Sequence, residues 1–211
     1  DLYERQKMKY SFNLENKGVF YLKPLLEEEV NEARLLCDEC VGENLYGAEE
    51  IASAVGAADR FFYLLKSEAG EPVGYIYYYL TEPEDIAKYA KLDAELFRKV
   101  YSRTDKMVGK IQSVGLKAEY RGIGFAAQMI NFILERLKEL SIDVTFIVCW
   151  KPGGILPLGK ALSECKFDYL AEAKKVWYDD TELICPICHG RCLCDAEVYY
   201  KRLDGEKNNE A

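Results

Sequence analysis

What is scarce in this sequence narrows it first. A single histidine, His189, stands in 211 residues, inside the cysteine run "CPICHGRCLC". A histidine base would therefore require that run to reach the reacting centre, and serine or cysteine triads have no support. No stretch approaches the ~20 uninterrupted apolar residues that a membrane span needs. The opening residues "DLYERQKMKY" lack the apolar core of a secretory leader, so the expectation is a cytoplasmic protein with no membrane partner. Basic charge is also short. Twenty-eight Lys and Arg face 36 Asp and Glu, a net charge of −8. That argues against nucleic acid as a partner, while leaving room for a local basic pocket.

Cysteine is not scarce. Cys185, Cys188, Cys192 and Cys194 crowd together near the C-terminus, whereas Cys37, Cys40, Cys149 and Cys165 are scattered through core-like segments. Without a secretory leader, clustered cysteines point to metal more than to disulfides.

Hydrophobic periodicity supplies the elements. "GVFYLKPL" reads as a strand, and Val30, Ala33, Cys37, Cys40 and Val41 form one helical stripe that Gly42 can stop. A helix is expected over 44–57, and "RFFYLLKSEAGEPVGYIYYYL" reads as a hairpin. Residues 88–101 place Tyr89, Leu92, Leu96 and Val100 on one helical face, and "MVGKIQSVGL" is a strand. The helix in "GIGFAAQMINFILERLKEL" should bury Ile123, Ala126, Ala127, Ile130, Ile133, Leu134, Leu137 and Leu140. "IDVTFIVCW" suits a central strand, 155–165 a helix, and 168–178 and 196–203 the last strands, with a frayed tail "DGEKNNEA". This order describes one mixed α/β domain over 1–211, carrying a helical insertion about 84–104 and a cysteine knuckle 185–194.

The corner "VGLKAEYRGIGFAA" carries the chemistry. A helix N-terminus presents outward amides and the positive end of its dipole, so bare residues let a phosphate approach the backbone. Gly122, Gly124, Ala126 and Ala127 keep that corner open, and Arg121 adds charge. A tight strand-to-helix turn, with glycines serving geometry alone, explains the same residues. A dinucleotide fingerprint does not fit, because Ala127 stands where its third glycine belongs.

"RGIGFA", Arg121 to Ala126, resembles the R-x-x-G-x-G/A motif of the GNAT acyltransferases. "KIQSVGLKAEYRGIGFAAQMI" is similar to that family's strand, pyrophosphate loop and helix, and the element order over about 18–203 is similar too. The resemblance implies the GNAT fold, a mixed and mostly antiparallel sheet flanked by helices, and acetyl-CoA as cosubstrate. It implies that Val114, Gly115 and Leu116 pair with the pantetheine arm, the Leu116 amide polarising the thioester carbonyl. Arg121, Gly122, Ile123, Gly124, Phe125, Ala126 and Ala127 would form the pyrophosphate turn. "IDVTFIVCW" would splay from the preceding strand, placing Trp150 near the acceptor amine or, equally, over the core.

The sequence departs from the family in one respect. Leu162 stands in "ALSECKF" where the family's L-Y-x-x-x-G-F segment has its proton-donating Tyr, and Lys166 replaces the Gly. Ser163, Cys165 or a tyrosine from elsewhere are the remaining donors, and water can serve as well. For the base, Glu82, Glu84 and Asp85 follow a strand near the expected acceptor, although a solvated turn explains them too. Segment 88–101 reads either as a lid or as cover for a sheet edge. Cys185-x-x-Cys188 with Cys192-x-Cys194 suits a structural Zn²⁺, with His189 able to replace one thiolate; a reduced hairpin or disulfides are the alternatives. Cys37 and Cys40 read as core packing.

The expectation is thus an N-acetyltransferase acting on a primary amine, small-molecule or peptide, by direct attack in a ternary complex. The acidic surface favours a cationic acceptor through steering only. The rivals are a non-catalytic acyl-CoA sensor and a zinc-knuckle interaction module, and a homodimer is compatible with either.

Overall fold

The computed structural model describes residues 10–14, 18–101 and 106–203; residues 102–105 of the expected insertion and the expected frayed tail lie outside it. The strands are β1 (Tyr10–Leu14), β2 (Gly18–Pro24), β3 (Arg60–Ser67), β4 (Pro72–Thr81), β5 (Val108–Leu116), β6 (Val144–Lys151), β7 (Asp168–Ala173) and β8 (Asp195–Arg202). They form one sheet in the order β1-β2-β3-β4-β5-β6-β8-β7. Every neighbouring pair is antiparallel except β5 with β6. Strand β1 is an addition to the sequence reading.

The helices are α1 (Val30–Val41), α2 (Ala48–Ala52), α3 (Pro83–Ala90), α4 (Ala94–Val100), α5 (Phe125–Glu139) and α6 (Gly159–Glu164). Alternation along the strands sets the layers. Ile76 and Tyr78 of β4 and Ile147 of β6 join the core under α5, with Met129, Ile130 and Ile133. Tyr75 and Tyr77 turn the other way, against Leu36 and Cys37 of α1. Farther along that second face, Phe146 and Val148 meet Ile86 and Phe97 of α3 and α4. Covered on both sides, β4 reads as a continuous apolar run. No helix among the described residues is long and apolar enough to cross a membrane.

Five expected elements change, among them the helix expected over 155–165, which covers only Gly159–Glu164. The helix expected over 44–57 shrinks to α2, which starts after Gly47 and ends where Ser53 and Ala54 bond back to Glu49 and Ile51. The helix over 88–101 becomes two, because Lys91 takes a left-handed conformation (φ 57°) and caps α3. Helix α5 starts at Phe125 instead of Gly122, and it buries Phe125, Met129 and Phe132 besides the expected Ala127, Ile130, Ile133, Leu134 and Leu137. Ile123, Ala126 and Leu140 are only partly buried against that core. Strand β7 stops at Ala173, and residues 174–194 contain neither strand nor helix.

Candidate active site

The geometry begins with two strands that part. β5 and β6 pair only from Gly109–Ile111 to Thr145–Ile147. Beyond that point β5 stays with β4 as far as Leu116, while β6 stays with β8 through Lys151. The amide of Lys117 donates to Val73 O at 2.9 Å, which makes this a hydrogen-bonded position of the β4–β5 ladder. By alternation, Val114 and Leu116, opposite Ile76 and Gly74, turn their N–H and C=O groups away from β4 and into the gap. Gly115 lies between them on the α1 side. A Cβ there would overlap the Tyr75 ring and lie 2.8 Å from Cys40 Cβ, so only glycine lets the strand lie this close.

A cavity of about 270 Å³ occupies the gap. Val114, Gly115, Leu116, Arg121, Gly122 and Ala126 line it, together with Trp150, Pro157 and Leu158. Of the residues expected around a pyrophosphate, Ile123, Gly124, Phe125 and Ala127 do not line this cavity. Phe125 and Ala127 instead point their side chains into the core. Gly122 and Gly124 hold φ of 74° and 97°, and a Cβ on either would meet nothing within 4 Å. Backbone conformation therefore selects glycine here, and the space beside it stays open to a ligand. The Gln128 amide is the first to bond within α5, to Gly124 O at 3.1 Å, so the amides of Ala126 and Ala127 point out of the helix start. Arg121 differs from expectation. Its Nε donates to Leu116 O at 2.8 Å and its guanidinium reaches Cys40 O at 3.5 Å, tying the end of β5 to the end of α1.

The other half of the cavity is made of side chains from distant segments: Val41, Leu45, Tyr46, Gln112, Ser113, Trp177, Leu183, Cys185 and Cys192 among them. Tyr46 is held from below. Lys110 Nζ donates to Tyr79 Oη at 3.0 Å, Tyr79 Oη donates to Gln112 Oε1 at 3.3 Å, and Gln112 Nε2 donates to Tyr46 Oη at 3.3 Å. Gln112 Nε2 also reaches Tyr89 Oη, which accepts from Trp177 Nε1 at 2.7 Å. An amide in the middle of this chain orients hydroxyls and does not pass protons freely. Burial pushes the Tyr46 hydroxyl well above its ordinary pKa, so it stays protonated. Burial also pulls Lys110 down to about 7, against the raising effect of the Glu50 and Asp85 carboxylates. Its ammonium lies 3.2 Å from the Tyr89 ring centroid, a cation–π contact.

Several expected acids and bases are elsewhere. Leu162 is buried in the core under α5. Cys165 donates to Ala127 O at 3.5 Å, with burial raising its pKa to about 11, and Ser163 is exposed. Neither lines the cavity. Glu82 is exposed at the residue before α3 and its side chain makes no cap there, Glu84 pairs with Arg98 at 2.8 Å, and Asp85 accepts from Thr81 at 2.9 Å. No residue of α3 or α4 lines the cavity, so these helices cover the sheet and do not form a lid. Cys37 is core as expected, whereas Cys40 belongs to the cavity wall. Sequence patterning missed Tyr46, Gln112 and Trp177, since each is an isolated polar or aromatic residue without a motif.

The knuckle is compact. The Cys185, Cys188 and Cys194 sulfurs all lie within 4.8 Å of one another, and Cys188 Sγ is 3.6 Å from Cys194 Sγ. Tetrahedral thiolates about 2.3 Å from one Zn²⁺ sit roughly 3.8 Å apart, so the donor set fits that ion. Cys192 lies outside that tight trio but is buried with Cys185 and Cys194 in one cluster. Burial opposes ionisation of Cys185, yet the Cys188 and Ile187 amides aimed at its sulfur lower its pKa. The Leu193 amide reaches Cys188 Sγ at 3.4 Å. His189 is exposed and only its backbone takes part, donating to Cys185 O at 2.8 Å. The knuckle thus reaches the cavity, but its histidine side chain is not among the lining groups.

Comparisons with known proteins agree with this geometry. The fold resembles the ribosomal-protein-S5-alanine acetyltransferase from Vibrio fischeri, with a TM-score of 0.61 and 14% identity, covering 94% of this chain and 100% of that one. It also resembles Naa20 from Chaetomium thermophilum in complex with a bisubstrate analogue, with a TM-score of 0.58 and 14% identity, covering 86% and 85% of the two chains. The spermidine/spermine N-acetyltransferase SpeG from Vibrio cholerae matches with a TM-score of 0.53 and 14% identity, covering 87% of this chain and 92% of that one. A search of curated protein sequences finds no match. The acetyltransferase (GNAT) family profile matches residues 26–152, from the approach to α1 to the end of β6, leaving the knuckle outside the match. By that match, over more than half its length, the chain belongs to the GNAT acetyltransferase family.

Proposed function

We propose that this protein transfers the acetyl group of acetyl-CoA to a primary amine, both substrates being bound at once in the cavity between β5 and β6. The observation that carries the reading is the pair of parted strands, with the Val114 and Leu116 backbone turned into the gap and the glycine corner at its end. Acetyl-CoA supplies the activated acyl group. Outward amides of the α5 start hold its pyrophosphate, and the Leu116 N–H polarises the acyl carbonyl as negative charge develops on its oxygen. No protein nucleophile is needed, because a neutral amine attacks the carbonyl directly once the pair is oriented. The Tyr46 hydroxyl, held by Gln112 and kept protonated by burial, is the group placed to give a proton to the leaving thiolate, and the proton that the attacking nitrogen loses on forming the amide restores it through solvent in the cavity.

Among the described residues lining the cavity there is no carboxylate, and Val41, Leu45, Trp150, Trp177 and Leu183 dominate the acceptor half. The acceptor is therefore an amine on an apolar or aromatic body, a free arylalkylamine or a peptide N-terminus with an apolar first side chain. Polyamines fit poorly, since a second cation would find no partner. Zn²⁺ held by Cys185, Cys188, Cys192 and Cys194 has a structural role, its four ligands leaving no open position.

Acetyl transfer followed by mass tests the reading, using arylalkylamines, peptides with apolar N-termini and spermidine, and Ala126→Glu protein as the blank. One added acetyl group on the apolar amines, with little on spermidine, is expected. The buried Leu162 in place of a proton-donating Tyr favours a second reading, a non-catalytic acyl-CoA binder. Acetyl-CoA binding without product on any amine would select it.

A further inference from the structure

Residues 174–194 are long for a connection without regular structure, and such segments are commonly functional. This one does not hang in solvent. The Ile184 amide donates to Glu43 O at 3.0 Å, and Asn44 Nδ2 donates to Glu182 O at 3.3 Å, so the segment is stitched to the turn after α1. Gly42 is hemmed in there. A Cβ on it would lie 3.1 Å from Ile184 O, 3.1 Å from Leu183 Cδ1 and 3.2 Å from Pro186 Cδ, at a φ of +134°. Leu183, Cys185, Cys192 and Cys194 form a small buried cluster, against which Leu45, Trp150 and Trp177 pack. Leu183, Cys185 and Cys192 in turn face the cavity.

The same cysteines that fit a metal therefore shape the acceptor half of the site. We propose that the knuckle is a metal-clamped wall of the acceptor pocket, so that a thiophilic divalent ion bound by Cys185, Cys188, Cys192 and Cys194 holds the acceptor site closed while leaving the cofactor side independent. The proposal rests on the transferase reading for the word acceptor, but the wall itself can be tested without any acceptor. At its start Val176 and Trp177 pack against α3 and α4, but from Leu183 onward this small cluster is the segment's apolar anchor, and metal binding to thiolates supplies folding free energy that a small cluster lacks. The cofactor half is fixed separately, by the β4–β5 ladder, α5 and the Arg121 tie to Leu116.

The only two tryptophans of the chain, Trp150 and Trp177, both lie on this wall and report on it. Purified full-length protein is stripped of metal and titrated with Co²⁺, whose tetrahedral thiolate site absorbs in the visible. Loaded and stripped forms are then compared for tryptophan quenching by acrylamide and for acetyl-CoA affinity by calorimetry. One Co²⁺ per chain with a thiolate charge-transfer band is expected. Stripping should raise the quenching constant about threefold as the wall opens, while the acetyl-CoA Kd moves by less than about twofold.

Gly42→Leu provides a second route if stripping unfolds the chain. It should keep the metal and still show the raised quenching, because its side chain dislodges the seat of the segment. Absence of stoichiometric metal overturns the proposal. So does unchanged quenching, in the stripped form or, where stripping unfolds the chain, in metal-loaded Gly42→Leu, and so does loss of acetyl-CoA affinity together with the metal. Failure of the loaded protein to bind acetyl-CoA instead refutes the transferase reading, and leaves the metal and quenching results to stand by themselves.

Discussion

One wall of the cavity is made of backbone and the other of side chains. On the proposed cofactor side, the Val114 and Leu116 main chain, the glycine corner and the start of α5 come from a single stretch of sequence. On the proposed acceptor side, Tyr46, Gln112, and the pair Trp177 and Cys185 come from three separate segments that the fold brings together. The first wall offers amides and a helix dipole, which suit a ligand common to many enzymes. The second offers apolar area and oriented hydroxyls, which suit one kind of acceptor. A backbone site also changes little when nearby side chains change, whereas a side-chain site changes with every substitution.

The contrast can be broken most severely on the backbone side. Ala126→Glu places a carboxylate in the cavity from a position whose helical backbone accepts any residue. Acetyl-CoA affinity should fall at least about 100-fold, through repulsion of the phosphates and loss of the open corner. Calorimetry measures it, with circular dichroism showing an intact fold. Unchanged affinity would remove the phosphate-site reading.

On the side-chain wall the effect should be smaller and of a different kind. Tyr46→Phe removes the hydroxyl held by Gln112 but keeps the ring. It should lower kcat about 100-fold with little change in acetyl-CoA Kd, as befits a positioned proton donor. Equal losses in binding and turnover would make Tyr46 structural. The split between the two variants is what the two-wall description requires.

The smallest effect concerns the support under that wall. Lys110 has a folded pKa near 7, below its unfolded 10.5, because burial disfavours its charge. Between those values the unfolded chain binds more protons, so stability rises with pH. The destabilisation from Lys110 is thus fully present below pH 7 and fades as pH approaches 10.5. In Lys110→Met this component of the pH dependence should vanish. The wild-type Tm should gain about 5–9 °C on the variant between roughly pH 7 and 9, read by thermal melts. Parallel curves would mean that Lys110 titrates like an exposed lysine.

The legibility of the fold follows the same division. Helix α5 and strands β4, β5 and β6 showed their periodicity because each buries a continuous apolar face. The single helix expected over 88–101 did not survive, since Lys91 adopts a left-handed turn that periodicity cannot register. The glycine corner was legible because positive φ at Gly122 and Gly124 restricts the residue type itself. Tyr46 was not, because a tyrosine in a stretch that reads as an apolar helix over 44–57 looks like core until the structure sets it in the turn before α2 with Gln112 beside it. Glu82, Glu84 and Asp85 stood near the right strand in sequence, but Arg98 holds Glu84, the Thr81 hydroxyl holds Asp85, and Glu82 is exposed at the start of α3, off the cavity.

By itself, the sequence determined the order of elements, the family motif at the glycine corner and the cysteine set, all fixed by local spacing or by the conformations a residue can adopt. Only the tertiary structure decided that β5 and β6 part after Ile111 and Ile147, and that a knuckle some 140 residues after Gly42 packs against it to wall the cavity. Such contacts depend on how the sheet twists and which faces its helices cover, a sum over the whole chain that no short stretch encodes.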